Sequence, residues 1–366
     1  MKLFLSGDVM TGRGIDQILP HPNDPRIHEP IGKSAKQYVR LAEEVNGPIS
    51  YPVNFDYVWG EALDALRLND PALYIVNLET AITRSENFLP KGINYRMSPE
   101  NAECLTAAGI DCCVLANNHI LDWDEAGLID TLGTLQRLGI KTVGAGRNSF
   151  EAQAPAMIDA GQNRRVMVYA AASITSGTPR SWAAEESAPG VNILPDLSDG
   201  SVAEIADQVA SIKRSDDFVI FSIHWGPNWG YFIPPEQVHF ARRLIDEAGI
   251  SVVFGHSSHH AKAIEWHHAG LILYGCGDFL NDYEGITGYE EYRDDLALLY
   301  AITFDASSGR LDQVELVPFQ IYRFQLIQPA QEDVVWLEHT LDRESRRFGT
   351  RVRLFSNGRC LSAEPL

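Results

Sequence analysis

KLFLSGDVMTGR, residues 2–13, is the stretch whose reading decides the fold. An apolar run of strand length, Lys2 to Ser6, stops at Gly7-Asp8 and so leaves a carboxylate at the tip of a buried strand. The same grammar returns along the chain. Residues 72–77 (ALYIVN) lead into Leu78-Glu79, and residues 111–116 (DCCVLA) into Asn117-Asn118-His119. Residues 218–223 (FVIFSI) lead into His224-Trp225-Gly226, and residues 250–254 (ISVVF) into GHSSHH at 255–260. Between these runs, residues 124–138, 201–212 and 235–248 carry apolar side chains at three- and four-residue steps, as amphipathic helices do. Alternating strands and helices predict an α/β chain with a mainly parallel sheet covered by helices. Ligands of open α/β sheets bind beyond the carboxyl ends of the strands, so the polar tips are expected to converge on one rim.

The pattern changes after about residue 280. Strand-like segments at 296–304 and 311–324 flank the turn signal Ser307-Ser308-Gly309 and predict a hairpin completing a second sheet. Residues 331–348 read as an exposed helix, and 350–366 as a short strand pair and tail. Residues 19–55 and 83–99 are irregular insertions of the kind that become lids or surface excursions. The expected organisation is one catalytic domain over 1–330, with a C-terminal helix and strand extension, 331–366, packed on it.

Hydrophobic residues make up 45% of the 366 and charged ones 22%, which supports a sizeable core and argues against global disorder. The formal charge of -19 repels a phosphate backbone, so nucleic acid is not an expected partner. The five cysteines form neither a CxxC pair nor a disulfide framework and read as reduced thiols, Cys112 and Cys113 within the core. The opening apolar run is too short for a signal peptide, and no apolar stretch reaches the roughly 18 residues of a membrane span. A cytoplasmic protein without stable membrane insertion is the expectation.

Asp8, Glu79, Asn118, His224, His256 and His259 are candidate metal ligands. Mixed oxygen and imidazole donors suit one or two divalent ions such as manganese, zinc or iron, with calcium as the oxygen-ligand option. Six donors are enough for two ions, and a carboxylate can bridge them. Each alone also fits a turn, a helix cap or a packed side chain. GHSSHH is harder to read that way, because three imidazoles in five positions after a buried strand need a bound group or water to satisfy their polarity. Arg13, Arg96 and Arg147 offer guanidinium forks for carboxylate or phosphate. Trp225, Trp229 and Tyr231 in HWGPNWGY offer an aromatic wall for a peptide or sugar, and Asp278, Asn281 and Asp282 in YGCGDFLND can orient an imidazole.

In order along the chain, GDVMTGR (7–13), NLET (77–80), NNHILD (117–122), VGAGRN (143–148), HWG (224–226), GHSSHH (255–260) and YGCGDFLND (274–282) resemble the CapA/PgsA family, named for poly-γ-glutamate capsule biosynthesis. The resemblance runs from residue 1 to about 325. That family is similar to the calcineurin-like metallophosphoesterases, which implies a double β-sandwich flanked by helices and a two-metal site at strand ends. On this resemblance Asp8 matches the first metal aspartate and Glu79 takes the place of the bridging carboxylate. Asn118 and His119 match the Asn-His motif, His224 the mid-chain ligand, and His256 with His259 the closing pair. Two departures stand out. Met10 follows Asp8-Val9 where phosphoesterases carry the histidine of Asp-x-His, and the closing histidines are spaced by two residues instead of one. An asymmetric site is therefore expected, well furnished around Asn118, His224 and a closing histidine, and weaker around Asp8.

The resemblance implies metal-dependent hydrolysis or transfer on an anionic polymer, peptide or phosphoester, with His119 as general acid, while the chemistry of their side chains makes Arg13, Arg96, Trp225 and Trp229 the candidates for contacting substrate. A second reading, implied because CapA-like proteins also resemble enzymes that invert an α-carbon of a ribosomal peptide, is a peptide epimerase with Asp8 and His259 or His260 on opposite faces of that carbon. A third is a non-catalytic, metal-binding accessory subunit. Partners encoded in the same biosynthetic gene cluster are expected in each case.

Overall fold

Leu3, Phe4 and Leu5 are fully buried, as required of a strand covered on both faces. The computed structural model describes residues 1–366 apart from 31, 162–163, 306–307 and 356–357. In it, strand Lys2–Val9 runs parallel to Leu73–Leu78, and the sheet continues in parallel through Cys112–Val114 and Lys141–Val143. Its other edge pairs antiparallel with Leu296–Phe304, Leu3 opposite Ile302 and Leu5 opposite Tyr300. Leu311–Tyr322 follows as the hairpin mate, then Leu361–Pro365 and Thr350–Leu354.

The hairpin expected to complete a second sheet therefore belongs to the first. Leu296–Phe304 is buried along almost its whole length, so it needs cover on both faces, which the position beside the central strand supplies. Its turn closes through the Gly309 N–H on the Asp305 carbonyl at 3.0 Å, with Gly309 at φ +70°. Ser307 lies outside the described residues.

The second sheet has a parallel centre of Arg165–Ala172, Phe218–His224, Val252–His256 and Gly270–Leu273. Ala156–Asp159 and Ile264–His267 are its antiparallel edges. Alternation along Arg165–Ala172 sets the layering. Val166, Val168 and Ala170 share a core with Leu3, Leu5 and Phe304 of the first sheet. Met167, Tyr169 and Ala171 pack outward with Val202 and Ile205 of helix Asp199–Ile212 and with Phe240 and Leu244 of helix Pro235–Ala248. Two sheets thus face each other with helices outside, a mixed α/β architecture.

The C-terminal helix, Gln331–Ser345, is only half exposed, because Val334, Leu337 and Leu341 at helical spacing turn one face into the core. The hydroxyls of Ser345, its last residue, and of Thr350 just beyond it accept the N–H groups of Ile264 and Trp266, which docks the extension on the edge of the second sheet. Among the described residues, no helix is long and apolar enough to cross a membrane.

One close approach positions the site. A Cβ on Gly7 would fall 1.8 Å from the Gly277 carbonyl oxygen, so only glycine lets the two chains touch there. Asp278–Leu280 then pairs in parallel with the end of the first strand, and Asp278 comes to lie opposite Asp8.

Candidate metal centre

The strand tips do converge. Asp8, Glu79, Asp278, His224 and His256 have relative exposures of 0–1%, and His259 is 6% exposed. One donor atom each from Asp8, His224 and His256 lies within 4.8 Å of the others, and the same holds for Asp8, His259 and Asp278. Asp8 is thus common to two trios. The closing pair is divided between them, His256 beside His224 and His259 beside Asp278.

Glu79 stands between Asp8 and the histidines. Its Oε1 is 3.8 Å from His119 Nε2 and 3.9 Å from His224 Nε2. Asn118 joins at His224, its Oδ1 lying 3.1 Å from Nε2. His224 and His256 face each other through their Nδ1 atoms at 2.7 Å, and His256 Nε2 meets the Ser222 hydroxyl at 2.6 Å. On the other side His259 Nδ1 is 2.9 Å from Asp278 Oδ1, and the Asn281 amide donates to Asp278 Oδ2 at 2.8 Å. The weak position expected around Asp8 is therefore furnished after all. Asp278, brought in by the Gly7 and Gly277 contact, supplies a donor near Asp8 where Met10 offers no imidazole.

Electrostatics argue for a cation among these groups. Asp8 and Asp278 bring carboxylate oxygens within 4.8 Å of each other, and two charges so placed repel by roughly 3–4 kcal/mol at an effective dielectric of about 20, beyond the cost of burial. Burial, and then Asp278, push the Asp8 carboxyl up to about 7. Glu79 is raised well above the usual carboxylate range by burial and then by Asp8 and Asp278. His224 is pushed well down by burial and by His256, while burial drives His256 down to about 3, so both present neutral imidazoles of the kind that bind metal. His259 is raised, since Asp278 and Asp8 outweigh its burial. The residues fit a divalent ion: buried carboxylates that otherwise retain protons, beside neutral imidazoles whose orientation is held by hydrogen bonds. An imidazole share this large favours manganese, zinc or iron over calcium, which prefers six to eight oxygens.

His119 adjoins this cluster. Its Nδ1 is 2.6 Å from Asp122 Oδ2, which directs Nε2 towards Glu79. Burial pushes the imidazole down to about 4, against the pull of Asp122 and with the help of the Lys91 cation. The resting ring is neutral at pH 7, with an Nε2 lone pair to accept a proton, so donation as a general acid must follow proton uptake.

Other expected site residues are placed elsewhere. Arg13 is 3% exposed and fully engaged, on Asp282 at 2.5 and 2.8 Å and on Glu29 at 3.0 Å, so it braces the fold instead of awaiting substrate. Arg96 is likewise buried, over the Trp123 ring at 3.9 Å and donating to the Ser85 carbonyl at 2.6 Å. Arg147 is exposed and pairs with Glu151. Trp225 is a core residue whose indole N–H donates to the Tyr274 carbonyl at 3.0 Å. His260 accepts from Gly230 N–H at 3.1 Å and lies 3.2 Å from the Ala261 carbonyl among Trp229, Tyr231 and Tyr292, so both ring nitrogens are used away from the carboxylates. Asp282 is committed to Arg13. Trp229 does border the site: half-buried, it stacks on Tyr289 at 4.1 Å and sits 5.3 Å from the His259 ring.

The family model of the bacterial capsule synthesis protein PGA_cap matches residues 2–283, which span every residue of this cluster. The chain belongs to that capsule synthesis family. Its relatives include a probable polyglutamine synthesis accessory protein of Mycobacterium tuberculosis, 47% identical over 96% of this chain and 93% of that protein. The PGA biosynthesis protein CapA of Bacillus subtilis is 26% identical over 67% of this chain and 60% of its own. The capsule biosynthesis protein CapA of Bacillus anthracis is 23% identical over 86% and 67%.

In this capsule synthesis family member several site residues escaped the sequence reading. Asn77 donates to Asp8 Oδ1 at 2.7 Å and lies 3.3 Å from Glu79 Oε2, and its carbonyl accepts from Asn117 at 3.1 Å, tying three strand tips together. The 83–99 insertion folds over His119. It contributes Lys91, 2.8 Å from Asp122 Oδ1 and on the Asn118 carbonyl, and the Tyr95 N–H, which donates to Asp122 Oδ2 at 2.6 Å. Asp122 was in view within NNHILD; nothing in the one-dimensional pattern pointed to Lys91.

Proposed function

We propose that this chain is a divalent-metal-dependent enzyme acting on an anionic polymer or peptide of capsule-type, poly-glutamate synthesis, through a site of calcineurin-like metallophosphoesterase type. The carrying observation is the buried set around Asp8, two trios of donors sharing one carboxylate, with the His119 and Asp122 pair beside them. Asp8, His259 and Asp278 would hold one ion, and Glu79, Asn118, His224 and His256 a second, Asp8 lying between. When bound, such ions supply Lewis-acid polarisation of a substrate oxygen and a more acidic water.

The chain's own groups do the rest. Asp122 holds the His119 ring so that Nε2 faces the cluster, where it takes a proton from the attacking group and can return it to the leaving group. Asn281 and Asp278 fix the His259 ring, and Ser222 fixes His256. Trp229 offers an apolar face at the rim. Chelator-treated protein reloaded with manganese or zinc should turn over γ-glutamyl peptides or phosphoesters, and His119→Ala should lower kcat by about 100-fold or more. Absence of metal-dependent turnover across both substrate classes, with the ions verified in place, overturns this reading.

The name of the Mycobacterium tuberculosis relative supports a second reading, a non-catalytic accessory subunit. Complementation separates the two. An accessory role survives His119→Ala and fails only when the chain no longer folds or no longer meets its partner.

A further inference from the structure

A second group of metal-type donors lies on the surface, outside the site above. Helix Pro235–Ala248 ends beside the turn joining strands Ile264–His267 and Gly270–Leu273. That turn carries two consecutive histidines. His267 Nε2 is 2.9 Å from Asp246 Oδ2, and His268 Nδ1 is 2.7 Å from Asp246 Oδ1. The imidazole centroids are 4.1 Å apart, and one donor atom from each of the three residues lies within 4.8 Å of the others.

Neighbours along a strand ordinarily point to opposite faces. Here the second ring meets the same carboxylate as the first because His268 adopts φ +50°. The pairing of His267 with Gly270 closes a two-residue turn at that point, where glycine would be free of strain. His267 is also backed from behind. Glu265 Oε1 lies 3.6 Å from its Nδ1, and that buried carboxylate is itself held by the Tyr274 hydroxyl at 2.6 Å and Arg242 at 2.8 Å. A carboxylate behind one ring nitrogen, with the other turned to a shared donor group, is the arrangement that orients metal-binding imidazoles.

We propose that Asp246, His267 and His268 form a surface site for a divalent transition ion of the zinc class. Two imidazoles and a carboxylate supply three of the four positions such an ion takes, and the exposed side of the His268 ring leaves room for water as the fourth. An ion there fastens the edge hairpin of the second sheet to the end of the helix. The same edge strand receives the C-terminal extension, through Trp266 N–H on Thr350 and the Trp266 indole on the Ala363 carbonyl at 3.0 Å. The site thus stiffens the seam between extension and body. It is independent of the Asp8 centre and stands or falls separately from the proposed activity.

The test is equilibrium dialysis of the full chain, stripped with chelator, against zinc, followed by elemental analysis and thermal melting. Wild type is compared with Asp246→Asn and His268→Gly. The glycine variant removes a ligand while relieving the positive φ, so its metal-free melting temperature should equal or exceed that of wild type. Each variant is expected to bind one zinc equivalent fewer than wild type and to lose part of the zinc-induced rise in melting temperature. The Asp8 centre contributes equally in all three proteins and cannot mimic that difference. Equal zinc content and equal thermal gain in wild type and both variants overturn the proposal.

Discussion

Asp278 holds His259 at 2.9 Å from its Oδ1 while lying in register with Asp8 on the neighbouring strand. One carboxylate thereby orients an imidazole and adds a donor on the Asp8 side. Asp278→Asn keeps the shape but removes the charge, and should weaken divalent-ion binding by about 10- to 100-fold with little change in fold. Metal titration by calorimetry checks this; unchanged affinity would place Asp278 outside the ion's influence.

The raised carboxyls of Asp8 and Glu79 make a pH prediction for chelated protein. The native state keeps protons that the unfolded chain releases above about pH 4. Their contribution to stability is present below that point and is lost as pH rises through about 7 for Asp8. A bound ion takes over from those protons, so the melting-temperature gain on adding manganese or zinc should be larger at about pH 8 than at about pH 5. An equal gain at both values would be incompatible with these carboxylates as ligands.

Arg13 gives a stability prediction in place of a substrate one. Arg13→Ala leaves Asp282 and Glu29 buried without their partner, which should cost about 3–5 kcal/mol. Urea denaturation reads the loss directly. A variant of unchanged stability that instead binds substrate more weakly would restore the recognition role.

Lys91 pairs with Asp122 and faces His119, and its side chain is 23% exposed. Lys91→Met removes a cation that disfavours imidazolium, so the His119 pKa should rise from its depressed value, readable in the ring proton shifts by NMR. A pKa that stays put would mean that burial alone sets it.

Ser257, immediately after His256, adopts φ +103° while its N–H donates to Asp8 Oδ2 at 3.2 Å. Ser257→Gly should relieve strain and raise stability by about 1 kcal/mol in denaturant melts, the metal donors being untouched. A loss of stability of similar size would show that the hydroxyl contact with the Gly226 carbonyl matters more than the backbone strain.

Much of this architecture was legible in one dimension. Apolar runs ending in Gly7-Asp8, Leu78-Glu79 and GHSSHH state both that a strand is buried and where it stops, since burial and chain exit are local properties of hydrophobic pattern. The three amphipathic helices followed for the same reason, their bounds matching Asp124–Arg137, Asp199–Ile212 and Pro235–Ala248 closely. Within each sheet the tips share an edge because parallel strands deliver their carboxyl ends to one side, but Asp8 and Glu79 belong to the first sheet and His224 and His256 to the second, and only the packing of the two sheets brings those edges together.

On its own, then, the one-dimensional pattern determined the strands that carry the polar tips and the type of donor at each, while Arg165–Ala172, central in the second sheet, and the flanking strands Ala156–Asp159, Ile264–His267 and Gly270–Leu273 went unread. Tertiary structure alone decided how those donors are shared. Whether an arginine is spare or already paired depends on residues as far away as Asp282, and Arg13 is indistinguishable from a ligand-binding guanidinium until that partner is in place. The sheet that receives Leu296–Phe304 depends on which central strand has an open edge. Asp278 came to the Asp8 side through the glycine contact between two strands far apart in the chain, and Lys91 came to His119 on an insertion without periodicity. Such pairings are long-range and set by packing, so no local pattern encodes them.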